Sequence, residues 1–235
     1  MDPDPAGLHA LVVADGGTCS RAGLDASWPH WDAAVGLVVA ADGGVELADE
    51  LGLTVERWVG DGDSTPATRL AELEAAGVRL ARFAEAKDES DTELAILEAI
   101  GAGATRITLL GALGGPRLDH ALANIGLLAH PRLVDCPTRL LSDDACVSLV
   151  VAPDPRGASV DRALPGRVGD LVSLLPMGGG VTGVTTRGLR YPLRDEPLPA
   201  GPARGLSNVR DAADAGLTLR RGLLLVVETP ATLAR

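Results

Sequence analysis

Aromatic side chains are nearly missing from this chain: Phe, Trp and Tyr together make up 2% of 235 residues. A core built without them must be packed from Leu, Val, Ala and Ile, and the surface offers few rings for stacking bases. Basic charge is also scarce, with 21 Lys and Arg against 32 Asp and Glu and a net charge of −11. A nucleic-acid backbone wants a basic face, so nucleic acid is excluded as the main partner. A single nucleotide is not excluded, because a bound cation can carry a polyphosphate into an acidic site. The cysteines, Cys19, Cys136 and Cys146, are odd in number and contain no CxxC pair, which argues against a disulfide framework or a structural zinc site. The histidines form neither HxxxH nor HExxH. No run reaches the roughly 18 apolar residues of a membrane-spanning helix. The opening MDPDPAG lacks the basic and apolar regions of a signal peptide. These absences lead us to expect a soluble, cytoplasmic protein with no membrane partner.

What is present is apolar and ordered. Hydrophobic residues make up 46%, enough for a sizeable core. The Pro/Asp-rich stretch 1–7 reads as loose. Leu8 to Ala14, Val35 to Ala41, Val55 to Val59, Val78 to Ala84 and Thr105 to Leu110 read as strands. A helix is expected within 18–34, and further helices over Val45 to Leu51, Thr68 to Ala76, Asp91 to Ile100 and Asp119 to Ala129. Ser90 and Glu93 form a Ser-x-x-Glu capping pattern, and Gly77 stands where a helix stops. Strands alternating with helices predict an α/β domain with a mostly parallel, Rossmann-like sheet, over 1–131. From 132 to 235 helical periodicity fades. Val134 to Leu141, Ala145 to Ala152, Leu171 to Leu175, Val181 to Thr186 and Leu217 to Glu228 read as strands between Pro/Gly joints such as Pro176 to Gly180, which predicts an all-β sandwich.

The expected strands end in unusual clusters: Asp15-Gly16-Gly17, Asp42-Gly43-Gly44, Gly60-Asp61-Gly62-Asp63 and Gly111-Ala112-Leu113-Gly114-Gly115. Open parallel sheets bind ligands beyond the carboxyl ends of their strands, so recurrence at that edge carries more weight than any one motif. Asp61 and Asp63, with Asp88 and Asp91, supply carboxylates for one hard cation, most readily magnesium. Gly16, Gly17, Gly43, Gly44, Gly111, Gly114 and Gly115 allow backbone N–H groups close to phosphate oxygens. The helix starting near Asp119 offers a positive dipole end, with Arg117 just before it and Lys87 as a second cation. Such a set suits phosphoryl or diphosphoryl transfer, which is mostly positioning and charge neutralisation. Neither G-x-x-x-x-G-K-[ST] nor G-x-G-x-x-G is present. Each cluster also has an ordinary reading: Asp-Gly pairs are turn formers, Asp88 favours a helix dipole, Asp119 is a cap, His120 is a structural hydrogen-bonder, and Arg117 and Lys87 are surface charges.

Taken in order, ADGG (41–44), GDGDS (60–64), KDESDTELA (87–95) and GALGGPRLDHALANI (111–125) resemble the thiamine pyrophosphokinase (thiamine diphosphokinase) family. SLLP (173–176), GVTTRGLRYPL (183–193) and LSN (206–208) extend the resemblance over nearly the whole chain. The resemblance implies transfer of a diphosphoryl group from ATP to the hydroxyl of thiamine, giving thiamine diphosphate and AMP, with magnesium. It implies a homodimer with sites at the subunit interface. By motif position, Asp61, Asp63 and Asp91 hold magnesium, and Asp42 lies near the reacting groups. Arg117 contacts phosphate, backed by Asp119 and His120, and Ser207 and Asn208 bind thiamine. Asp42 or Asp63 is the expected acceptor of the hydroxyl proton.

The chain departs from the family pattern in three places. Pro116 is inserted in the Gly-Gly-Arg run, Gly62 stands where an aromatic is usual, and the only aromatic of the C-terminal third is Tyr191. A different acceptor, such as a pterin alcohol, and a non-catalytic nucleotide- or thiamine-binding regulator are the competing readings.

Overall fold

A computed structural model of the protein describes residues 7–17, 19–152 and 158–233. The Pro/Asp-rich opening lies, except for Gly7, outside the described residues. The chain divides into two compact units, one over residues 5–143 and the other holding residues 144–235. The expected boundary at 131/132 falls too early. A 3₁₀ turn over Pro131–Leu133 leads into a strand that still pairs within the first unit.

The first unit alternates strand and helix. Its elements are β1 (Leu8–Val13), α1 (Arg21–Ser27), β2 (Val35–Ala41), α2 (Gly44–Glu50), β3 (Arg57–Gly60), α3 (Ala67–Ala75), β4 (Arg79–Arg82), α4 (Asp91–Gly101), β5 (Ala104–Leu110), α5 (Leu118–Leu127) and β6 (Thr138–Leu141). The strands lie in the order β4-β3-β2-β1-β5-β6 and every pairing is parallel. Parallel pairing requires a crossover between neighbours, which these helices supply. The central strands β1, β2 and β5 read as apolar runs because they are buried: Ala10, Leu11, Val12, Val39, Ala40, Ile107 and Leu109 are wholly inaccessible.

Helix α4 matters most for the site. Ser90 caps it, its side chain accepting from the Glu93 amide at 3.2 Å. Asp91 and Glu93 in the first turn favour the positive dipole end. Its apolar face, Leu94, Ala95, Ile96 and Ala99, is buried, and α4 packs across β1, β2, β3 and β5. A crossover helix runs opposite to the strands it connects, so Asp91 at its start lies at their carboxyl edge.

The second unit contains only strands and one 3₁₀ turn (Ala231–Leu233) among the described residues: β7 (Cys146–Ala152), β8 (Val160–Ala163), β9 (Leu171–Arg187), β10 (Glu196–Leu198), β11 (Asn208–Val209), β12 (Gly216–Leu219) and β13 (Arg221–Thr229). All its pairings are antiparallel. Pairing over the whole chain is therefore mixed rather than mostly parallel, with five α-helices among the described residues.

Strand β9 corrects the expected pair of strands with a joint between them. It runs through Pro176 to Gly180, and its register against β13 shifts between Met177↔Leu223 and Thr182↔Arg221, so the glycines bulge instead of ending the strand. The expected single strand Leu217 to Glu228 is two, β12 and β13. The first half of β9 pairs with β13, the second with β12 and β10, and an apolar cluster that includes Val172, Leu174, Val184, Leu217 and Leu224 collects side chains from both sets.

Candidate functional site

Two strand ends and a helix start build a carboxylate cluster in the first unit. Asp42 follows β2 directly and is 5% exposed. Its φ of 42° puts a non-glycine residue in the left-handed region, which Asp tolerates better than most residues. Strain of this kind collects at functional positions. The backbone around it is bonded on both sides: its N–H donates to the Val59 carbonyl at 2.8 Å, and its carbonyl accepts from Trp58 Nε1 at 3.0 Å. Its carboxylate accepts from Thr65 Oγ1 at 2.9 Å and the Ser64 amide at 3.1 Å, so the end of β2 holds the loop after β3. Burial pushes the Asp42 carboxyl above the usual carboxylate range, against the opposing bond from Thr65. Contact with Asp63 adds to the rise.

Asp61 starts the loop after β3. Its Oδ1 accepts from the Asp63 amide at 3.0 Å, and its Oδ2 accepts from Lys87 Nζ at 3.0 Å. The Lys87 ammonium, followed by that Asp63 amide bond, holds the Asp61 carboxyl below the usual range. Lys87 also reaches Asp91 Oδ1 at 2.8 Å. That contact pairs the charges without a directed hydrogen bond, leaving Asp91 Oδ1 buried without a hydrogen-bond partner among the described residues. Burial works to lower the Lys87 pKa, but the adjacent Asp91 and Asp61 carboxylates outweigh it and raise the value.

One oxygen each from Asp42, Asp61 and Asp91 lies within 4.8 Å of the others. Two oxygens on opposite sides of a magnesium ion are ~4.2 Å apart, so the trio is close to the span one such ion needs. An all-oxygen donor set fits a hard divalent cation, as does Asp91 Oδ1, a buried carboxylate oxygen whose contact is an ion pair with the Lys87 ammonium. The trio differs from the expected set. Asp42 takes the place given to Asp63, which is exposed at the loop tip and accepts from Ser64 Oγ at 2.9 Å. Asp88 is also exposed.

The strand-end glycines pack loops onto one another. A Cβ on Gly44 would lie 2.1 Å from the Val13 carbonyl, and one on Gly43 would lie 2.6 Å from Asp15 Oδ2. Gly111, with φ of 64°, would meet the Ala14 carbonyl at 2.0 Å, so it is barred from carrying a side chain on both conformational and steric grounds. The Gly16 amide donates to the Gly111 carbonyl at 2.7 Å, and Gly17 lies against Gly114. Gly115 would meet the Gly16 carbonyl at 2.5 Å. The loops after β1 and β5 thus lie together where the chain switches from one side of β1 to the other, the position at which open α/β sheets bind ligands.

Arg117, Asp119 and His120 are exposed at the start of α5. Arg117 pairs with Asp119, Nη2 to Oδ2 at 2.6 Å and Nε to Oδ1 at 3.3 Å. Asn124, from the same motif, is buried and donates to the Ala112 carbonyl at 3.1 Å, fixing α5 to the glycine loop.

In the second unit, Leu174, Tyr191, Leu193, Arg204, Gly205, Leu206, Ser207 and Asn208 line a pocket of about 140 Å³. Ser207 and Asn208 share that wall but differ in kind. Ser207 is exposed, with φ of 54°. Asn208 is buried, and its side chain is fully engaged: Oδ1 accepts from the Tyr191 amide at 3.0 Å and the Val209 amide at 2.9 Å, and Nδ2 donates to the Tyr191 carbonyl at 2.7 Å. The backbone of Tyr191 is held from both sides while the residue as a whole stays 58% exposed.

Sequence reasoning did not find Thr65 and Ser64 as partners of Asp42, the bridging position of Lys87, or Arg204 on the pocket wall. Thr65 directly follows the GDGDS run, a signal that could have marked it.

Comparison with known proteins covers both units. Residues 29–140 match the family model for thiamin pyrophosphokinase, catalytic domain, and residues 161–224 match that for thiamin pyrophosphokinase, vitamin B1 binding domain. Thiamine pyrophosphokinase 1 of Oryza sativa subsp. japonica is 31% identical over 121 residues, 52% of this chain and 44% of the rice protein, so the match spans less than half of that relative. Thiamine pyrophosphokinase of Bacillus subtilis (strain 168) is 23% identical over 193 residues, 82% of this chain and 87% of that one. The crystal structure of the Bacillus subtilis enzyme superposes with a TM-score of 0.76 at 22% identity, covering 94% of this chain and 99% of that one. Thiamin pyrophosphokinase from Candida albicans gives a TM-score of 0.75 at 14% identity, covering 95% and 89%. At these identities the structures speak for the fold.

Proposed function

The chain belongs to the thiamin pyrophosphokinase family, and from that premise we propose that it transfers the diphosphoryl group of ATP to the hydroxyl of thiamine, giving thiamine diphosphate and AMP. The observation that carries the reading is the approach of Asp42, Asp61 and Asp91 to within 4.8 Å at the carboxyl edge of the parallel strands.

In this reading the trio holds magnesium. Bound there, magnesium would neutralise charge on the triphosphate, whose β-phosphorus the thiamine hydroxyl attacks. The rest is positioning by the chain's own residues. Gly16, Gly17, Gly43, Gly44, Gly111, Gly114 and Gly115 present backbone N–H groups to the phosphates. Arg117, oriented by Asp119 and followed by His120, meets phosphate oxygens from the start of α5, and Lys87 adds a second positive charge. Asp63 is the loop carboxylate left outside the trio, and it takes the hydroxyl proton. A loose transition state asks little of that base.

The second unit acts in this reading as a β-sandwich that takes thiamine at its pocket. Ser207 offers its hydroxyl, and Asn208 sets the pocket's shape by holding Tyr191, the one aromatic available there to face a ring. The match of 161–224 to a vitamin B1 binding domain favours thiamine over a pterin alcohol. The enzyme works as a homodimer, for which exposed Leu118 and Leu122, one turn apart on α5, supply apolar surface. Among the described residues no helix is long and apolar enough to cross a membrane.

Incubation of the purified protein with ATP, magnesium and thiamine tests the reading, with products resolved chromatographically. Thiamine diphosphate with AMP is expected. Thiamine monophosphate with ADP would overturn attack at the β-phosphorus, and no thiamine product would overturn the activity.

A further inference from the structure

Lys87 is the only lysine in the chain; the other 20 of its 21 basic residues are arginine. That single ammonium stands 3.0 Å from Asp61 and 2.8 Å from Asp91, two of the three carboxylates that converge on one another. Its side chain is 12% exposed, more enclosed than either salt bridge made by Arg69 or the Arg117–Asp119 pair on the surface. An ammonium is a compact point charge on a flexible stem, able to sit among carboxylates much as a small cation does. A guanidinium is a planar fork that fills the space in front of one carboxylate.

We propose that Lys87 is the resident cation of the carboxylate trio, held there until a divalent ion displaces it and then released toward the nucleotide phosphates. The inference rests on reading the trio as the magnesium site. Two positive species cannot crowd against the same two carboxylates at these distances without strong repulsion. An arriving divalent ion therefore removes the reason for Lys87 to stay, and the displaced ammonium needs another anion. The triphosphate is the anion that this reading brings to the site. Three consequences follow for the free protein. Lys87 keeps like-charged Asp61 and Asp91 together before any ligand binds. It competes with the divalent ion, so binding of metal alone is weak. Nucleotide relieves that competition by giving the ammonium a destination, which couples metal and nucleotide binding without any contact between sites elsewhere.

The test is binding of Mn²⁺, followed by electron paramagnetic resonance of the free ion, to nucleotide-free wild type, Lys87→Met and Lys87→Arg. Lys87→Met is expected to bind Mn²⁺ about tenfold more tightly than wild type, the effect of losing a competitor with two ion pairs. Lys87→Arg, which keeps the charge, is expected to stay within a few fold of wild type. Equal or weaker binding by Lys87→Met overturns the exchange. If wild type meanwhile forms thiamine diphosphate, the functional reading survives that result. If wild type forms no product while Lys87→Met still binds more tightly, the exchange stands and the functional reading falls. Should Lys87→Met fail to fold, wild type provides the reading: ¹⁵N-lysine labelling yields one side-chain Nζ resonance. It is expected to shift on saturation with Mg²⁺ and again on addition of an ATP analogue with a carbon bridge between the α and β phosphorus atoms. A resonance that stays in place while Mg²⁺ binds overturns the proposal.

Discussion

The carboxyl edge of the parallel strands and the pocket of the β unit both carry motif residues, but they use them in opposite ways. At the strand edge, Asp42 and Asp61 are hydrogen-bonded through both carboxylate oxygens, and bonding is left open at one oxygen of Asp91. Asp91 Oδ1 is buried without a directed hydrogen bond, and Asp42 is buried in a left-handed conformation with its carboxyl pushed up by that burial. In the β unit the polar groups bond to their own chain. Asn208 spends its amide on Tyr191 and Val209, Thr186 Oγ1 accepts from the Leu193 amide at 2.9 Å, and Arg210 donates through its two Nη atoms to the Leu164 carbonyl and to Glu228, its buried Nε alone being left without a hydrogen-bond partner among the described residues. Membership of a motif does not say whether a residue is a ligand or a brace. Its remaining bonding capacity does.

That contrast can be broken at either end. The largest effect is expected from Asp61→Asn, which removes a member of the trio. Turnover should fall roughly a thousandfold or more while the melting temperature moves by only a few degrees, as product assay and calorimetry would show. In the β unit, Glu228→Gln leaves Arg210, 1% exposed at its side chain, without its counter-charge. Denaturant unfolding should show a loss of about 3–5 kcal/mol with no direct effect on chemistry in the molecules still folded. Asn208→Ala should cost about 2–3 kcal/mol by the same measurement, because three hydrogen bonds go and the Tyr191 backbone groups are left unpaired. Ser207→Ala should change stability by less than about 0.5 kcal/mol and raise the KM for thiamine. If Ser207→Ala destabilised and Asn208→Ala did not, the brace and the ligand would have been assigned the wrong way round.

Asp63→Asn sharpens the comparison within the first unit. A fall in turnover of about tenfold is expected for a base in a loose transition state. A fall as deep as that of Asp61→Asn would return Asp63 to the metal and remove Asp42 from the trio. The smallest effect concerns pH. The folded Asp61 carboxyl lies below its ordinary value of 3.8, chiefly because of Lys87. The unfolded chain therefore binds the proton more readily, and the contribution of this group is fully present above that value. It is lost as pH falls through the lower, folded value. Metal-free Asp61→Asn should lack this part of the acid limb in stability measured below pH 4.

The first unit was legible in the sequence because its punctuation is strong. Four of the five expected strands run into an Asp/Gly or Gly-rich cluster, Ser90 caps α4 and Gly77 stands just past α3, so the observed ends fall within a few residues of the expected ones. The helix expected within 18–34 is there, at Arg21–Ser27. In the second unit glycine and proline mislead. They read as joints at 176–180, where the strand continues through a bulge, whereas the break at Arg220 carries no such mark. The short strands β8, β10 and β11 have too few residues to show alternation. In the site, Asp61 and Asp91 could be read from local spacing. The part played by Asp42 could not, because it depends on parallel pairing of β2 with β3, which brings two sequence-distant loops side by side. Asn208 was legible as a motif residue but not as a brace, since its partners lie in the loop around Tyr191.

Strand β9 gives the pocket of the β unit an unusual kind of security. The Leu174 amide, in the first half of β9, donates to the Gly205 carbonyl, and the Thr186 amide, in the second half, donates to the Leu193 carbonyl. The two sides of the pocket thus hang from opposite ends of one continuous strand. Neither can loosen by local fraying while β9 remains paired, so amide protection around the pocket should equal that of the whole β unit and disappear with it in a single step.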